Sequence, residues 1–111
     1  MEKWLLVAAS NCADPVREKE FNHWYNTVHV PDVLETPGIL RATRYKNDEL
    51  PEGHWKYLAI YEVETGDIQQ TISRFGEIIT EKFKQGRMSE LLAPDLYVAF
   101  YKQMSPPIEE K

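Results

Sequence analysis

A single cysteine, Cys12, stands in the whole 111-residue chain. That excludes an internal disulfide and a cysteine-framed zinc site, and it fits a reducing compartment. Positive charge is sparse and scattered: thirteen Lys and Arg are set against eighteen Asp and Glu, for a formal charge of −5. No basic stripe follows a nucleic acid or an anionic membrane. Long apolar runs are missing too. The segment "WLLVAA", residues 4–9, is six residues behind Glu2, far short of a signal-peptide core or a membrane span. The expectation is a cytoplasmic protein with neither nucleic acid nor membrane as partner. There is no GxSxG, no glycine-rich phosphate loop and no paired-cysteine motif, which removes the common hydrolase, nucleotide and zinc readings. His23 and His29 lie about 240° apart around a helix and cannot share an ion. His54 sits in a loop without partner spacing, so no metal is expected.

Punctuation and periodicity are what the chain does have. Residues 4–9 read as a buried strand. Asp14 then caps a helix with Pro15 in its first turn, and Phe21, Trp24 and Val28 recur along one stripe. Pro31 disfavours helical geometry at Val30, so this helix is expected to stop near His29, with a short turn "PDVLE" before Pro37-Gly38. Strands are expected over 39–46 and 55–63, joined as an antiparallel pair through a polar loop. A second helix follows, with Ile68, Ile72, Phe75 and Ile79 in line and Gly86 as its stop. The last strand spans residues 96–102, before a loose tail.

The order strand, helix, strand, strand, helix, strand is the split βαβ pattern of ferredoxin-like α+β folds. One domain is expected over residues 1–103, with a tail at 104–111. Both helices should cover one face of a four-stranded antiparallel sheet. Leu40 and Ala42, Leu58 and Ile60, and Val98 and Phe100 are the natural helix-facing rows, because the alternative rows carry charge or hydroxyls. The opposite face would then present Arg41, Thr43 and Tyr45; Tyr57, Ala59 and Tyr61; and Tyr97, Ala99 and Tyr101. Such a face is too aromatic for water and suits a second copy packed sheet to sheet, with or without a ligand cavity. Arg41 either holds a substrate carboxylate or makes an ordinary ion pair.

Glu18, Asn22, Tyr25 and His29 share a flank of the first helix, beside its apolar stripe. His29 in the last turn, with Asp32 three residues on, has the parts for general acid-base catalysis. It has equally the parts of a helix C-cap, and Asp32 those of a favourable first-turn charge. Trp24 reads first as core.

The segment "EFNHWYNTVHVPDVLETPGILRATRY", residues 20–45, resembles the hallmark segment of dimeric α/β-barrel proteins of the EthD-like branch. The resemblance implies a homodimer whose two sheets form a barrel, with a small-molecule cavity in each subunit between sheet and helices. It matches His29 to the segment's histidine, Asp32 and Trp24 to its orienting and shaping residues, and Arg41 and Tyr45 to its strand. The haem-degrading branch carries a histidine on its second long helix. Residues 66–86 have none, which discounts haem although Asn11 and Trp55 have counterparts.

The reading that results is a cofactor-independent isomerase, dehydratase or lyase acting on a small aromatic, cyclic or enolisable acid. His29 would move the proton, Asp32 set its tautomer and Arg41 hold an anionic oxygen, while Tyr25, Tyr45, Tyr57, Tyr61, Tyr97 and Trp24 line the site. The alternatives are a cofactor-free oxygenase of an aromatic or polyketide substrate and a non-catalytic small-molecule-binding or stress-associated barrel.

Overall fold

The computed structural model describes residues 1–111. Strand β1 spans Glu2–Ser10, and Asp14 then caps a 3₁₀ turn at Pro15–Arg17 by accepting from the Val16 N–H. Helix α1 covers Glu18–Trp24, a π-helical turn Tyr25–His29, and helix α2 Val30–Val33. Strands β2, Ile39–Lys46, and β3, Tyr57–Thr65, are followed by helix α3, Ile68–Lys84, and strand β4, Tyr97–Lys102. The sheet is antiparallel in the order β2-β3-β1-β4. This is the expected ferredoxin-like βαββαβ arrangement.

The first helix does not stop at His29. Tyr25 through Leu34 keep right-handed helical angles, and Val30 donates to the Tyr25 carbonyl five residues back. Pro31 has no N–H, and its ring would strike the carbonyl four residues earlier in an α-helix. The extra residue in the π turn turns that carbonyl aside, so the rod absorbs the proline instead of ending. It ends after Val33, and Gly38 then takes a positive φ of 96° with its Cα 's would-be side chain 3.0 Å from the Glu64 carbonyl. Only glycine fits that turn without displacing backbone.

One row of the sheet is the reverse of the expectation. Tyr57, Ala59, Tyr61 and Val63 of β3 face the helices and form the core with Leu6, Phe21, Tyr25, Val33, Ile39 and Leu91. Leu58 and Ile60 therefore lie on the opposite face, only partly buried. Tyr57 tolerates the interior because α1 supplies partners: its hydroxyl donates to Glu18 at 2.8 Å and accepts from the Asn22 amide at 3.2 Å, whereas the Tyr61 hydroxyl is buried without a partner. Leu40 also departs from its expected place. A bulge between Ile39 and Arg41 buries Ile39 and leaves Leu40 47% exposed, after which Ala42 packs inward.

The face away from the helices carries Leu5, Val7, Leu58, Ile60, Tyr45, Tyr97 and Tyr101, with Arg41 at its edge. Trp55 packs on Tyr97 at one end of it and Ala9 is buried there, but no helix covers it, and Leu5, Tyr45, Tyr97 and Tyr101 all count among the exposed large hydrophobic residues.

Candidate active site

The apolar stripe of α3 does not close tightly on the sheet. Between them lies an open cavity of about 610 Å³. Its floor is Leu6 and Ala8 of β1, Tyr61 of β3 and Val98 of β4. Phe75, Gly76, Ile79, Thr80 and Phe83 of α3 form one wall, His29 and Val33 of the first rod another, and Met88, Leu92 and Leu96 the rim. No Asp, Glu, Lys or Arg reaches it, so a ligand carrying formal charge finds no counter-ion there. The volume falls within the usual range for small-molecule sites.

His29 is the titratable imidazole in this lining. Its ring stacks on Trp24 with centroids 4.9 Å apart and planes at 22°, and meets the edge of Tyr25 at 4.9 Å. Trp24 is fixed in turn by its indole N–H, which donates to the Arg87 carbonyl at 2.9 Å. Burial pushes the His29 pKa down to about 4; the Asp32 charge opposes this shift and the Arg44 charge adds to it. The imidazole is therefore neutral at pH 7. It caps no helix end through its side chain.

Asp32 is not bonded to that imidazole. Its carboxylate, 4% exposed, accepts from Arg87 Nε at 2.8 Å and Nη2 at 3.0 Å, with Lys82 Nζ 3.9 Å away. It acts on His29 by charge alone. Arg41 lies on the far side of the sheet, exposed and paired with Glu62 at 2.7 Å, which is the ordinary ion pair weighed against a substrate role. Tyr45 and Tyr97 share that outer face, and the Tyr97 hydroxyl meets that of Tyr101.

Of the expected tyrosines, Tyr61 lines the cavity, while Tyr25 and Tyr57 sit in the core beside it. Burial pushes the hydroxyl pKa values of Tyr25 and Tyr61 up, so both stay protonated. Under Tyr25 runs a residue that sequence reasoning missed. Arg44 sets its guanidinium 4.1 Å from the Tyr25 ring centre and donates to the Asn22 and Asn26 side-chain oxygens, both at 2.9 Å. A cation over an aromatic face is stabilised by the ring quadrupole, and here it props the ring that His29 leans on. Reversing the β3 row would have brought Tyr61 to the helix side, whereas Arg44 continues the Ala42 row of β2 that alternation had already turned there. The α3 wall bears no signal beyond its stripe.

The model of a family described as a domain of unknown function (DUF4286) matches residues 10–90. A curated relative, core atranone cluster protein 1 of Stachybotrys chlorohalonatus, is 34% identical over 61 residues, which is 54% of this chain and 26% of that protein. The chain thus spans about a quarter of that relative's length.

Among solved structures, a protein provisionally assigned as an antibiotic biosynthesis monooxygenase from Bordetella bronchiseptica matches with TM-score 0.70 at 16% identity, covering 95% of this chain and 100% of that one. An EthD family protein from Bacillus halodurans gives 0.60 at 16%, covering 94% and 100%. A dimeric ferredoxin-like protein from an uncultured marine organism gives 0.62 at 13%, covering 99% and 95%. Identities this low speak to the fold alone: the chain has the ferredoxin-like fold of these proteins, one of which is of the EthD family.

Proposed function

The chain belongs to the DUF4286 family, and from the site itself we propose that it is a small-molecule enzyme in which neutral His29 accepts a proton from an uncharged aromatic or enolisable substrate. The observation that carries this is a desolvated imidazole, free of hydrogen-bond duty, set in the wall of an apolar cavity. A base held at pKa about 4 is weak toward water. In a cavity without other charge, however, the enolate or phenolate it creates stays beside the imidazolium, and that ion pair raises its proton affinity during the reaction. Thr80, like Tyr61, carries a neutral hydroxyl in the same lining and offers a hydrogen bond to the substrate oxygen. Asp32 fixes the rod through Arg87 and Trp24 fixes the ring plane. The substrate is neutral rather than an acid, because Arg41 is on the other face. The chain works as a homodimer, its uncovered tyrosine-bearing faces packed together; the dimeric ferredoxin-like proteins of the same fold support this.

Two chemistries share that first proton transfer. Isomerisation, dehydration or lyase chemistry returns the proton elsewhere on the substrate. Oxygenation instead adds dioxygen to the carbanion, and the hydroperoxide loses water to leave a carbonyl. The kinship of fold with proteins named as monooxygenases and the stretch shared with an atranone-cluster protein favour aromatic or polyketide substrates for either.

The test uses 2-tetralone, a neutral enolisable aromatic ketone, in deuterated buffer under nitrogen and then under air. Wild type should exchange the α-protons faster than buffer, and His29→Ala should lose about 100-fold of that rate while keeping its circular dichroism. Dioxygen uptake under air selects oxygenation. Exchange unchanged by His29→Ala refutes the assignment.

A further inference from the structure

Helix α3 turns Phe75 and Ile79 toward the sheet, half-buried, and Gly76, Thr80 and the exposed Phe83 line the cavity beside them. Gly76 is anomalous among them. It stands in the middle of a 17-residue helix, where glycine is the weakest former after proline. None of the usual reasons for glycine applies. Its φ is not positive, unlike those of Gly38, Gly53 and Gly86. No neighbour crowds it either: a Cβ placed there would meet nothing within 4 Å, whereas the same test at Gly38 finds a carbonyl at 3.0 Å. The backbone would accept a side chain, and the packing would too. Gly76 is exposed and lines the open side of the cavity with Phe75, Ile79 and Thr80, so the missing side chain leaves a notch of open space there, where ring edges can come against the helix backbone.

Volume gives the size of what enters. An apolar cavity of roughly 150 Å³ holds one benzene ring, and this one is about 610 Å³, room for three fused rings. Resting on the reading of the cavity as a substrate site, we propose that Gly76 is the specificity-determining residue, a notch that admits a flat, neutral molecule of three or more fused rings. Smaller aromatics enter without using it.

The proposal is tested on the full chain with two neutral phenols, 2-naphthol of two rings and 2-hydroxyanthracene of three. Binding is read by quenching of tryptophan fluorescence, to which Trp24 behind His29 responds. Gly76→Leu should weaken the three-ring phenol at least tenfold and leave the two-ring phenol within threefold. Gly76→Phe, carried alongside, should act more strongly, so that a leucine turned toward solvent does not decide the outcome. Gly76→Ala should raise Tm by about 4 °C, the gain of an ordinary helix residue over glycine in a domain of this size.

A Gly76→Ala that melts lower overturns the notch whatever binds, because the glycine would then be structural. Equal effects on both phenols, or none on either, overturn it as a size filter while leaving the cavity reading intact. A wild-type protein that binds neither phenol refutes the cavity reading, and the notch with it.

Discussion

Mild acid should weaken this protein through His29 before it touches the carboxylates. Packed between Trp24 and Tyr25, the imidazole is held by burial at a pKa of about 4, against about 6.5 in an unfolded chain. Between those values the unfolded chain binds a proton that the folded one refuses, so stability is complete above the upper value and falls as pH falls toward the lower. The gap of about 2.5 units is worth about 3 kcal/mol in full, and about 2 kcal/mol of it is gone by pH 5. That is a large part of the 5–15 kcal/mol typical of a domain. Glu18 works in a lower window. Hydrogen bonds from Lys56 and Tyr57 hold its carboxyl below its ordinary value, so its contribution is present above about pH 4.5 and lost only further down. Urea midpoints at pH 7.5 and pH 5 for wild type and His29→Phe separate the two. Wild type should lose about 2 kcal/mol over that interval, whereas the phenylalanine variant should lose little. The His29 Cε1 proton, followed by NMR, should not shift until well below pH 5. A midpoint for that proton near pH 6.5, or equal losses in both proteins, would show a hydrated imidazole and refute the reasoning.

Two other consequences are open to direct measurement. Arg87→Met strips both hydrogen bonds from the buried Asp32 carboxylate and leaves only Lys82 at 3.9 Å. It should cost about 3 kcal/mol by urea unfolding, and Asp32→Leu with Arg87→Met should recover most of that, as pairs replaced by apolar groups do. A loss below half a kilocalorie in the single variant would mean that the pair does not hold the rod. On the outer sheet face, Ile60→Glu places a charge at the centre of the proposed dimer contact and should turn a sedimenting dimer into a monomer without changing the far-ultraviolet spectrum. A wild type that sediments as a monomer at micromolar concentration defeats the homodimer outright.

Local signals proved sufficient for the fold and insufficient for its faces. Asp14, Pro15, Pro37-Gly38 and Gly86 act where simple capping and turn rules put them. Period-two alternation separated the two rows of β3 correctly but could not say which is inside. The inference that hydroxyls belong outside holds only when the interior offers them no partner. Glu18 and Asn22, some 39 and 35 residues before Tyr57, are such partners, and no window along the chain joins them. Arg41 and Tyr45 were put on the outer row, and they are there; the error lay in linking that row to the cavity, which opens on the other side of the sheet. The α3 wall was invisible for a different reason. Its residues are ordinary members of an amphipathic stripe, and only the gap they leave against β1 and β4 makes them a site.

His29 depends on the one place where a local rule was answered in an unexpected way. In an α-helix, residues five apart lie about 140° round the axis and cannot stack. Trp24 and His29 are five apart and stack at 4.9 Å, which the wider π turn over Tyr25–His29 makes possible. That turn exists because Pro31 offers no N–H and cannot sit under a carbonyl four residues back. The proline thus does not end the helix at the histidine. It rewinds the preceding turn, and the rewinding clamps the imidazole on tryptophan at the cavity wall. The same residue that argued for a cap is what desolvates the base.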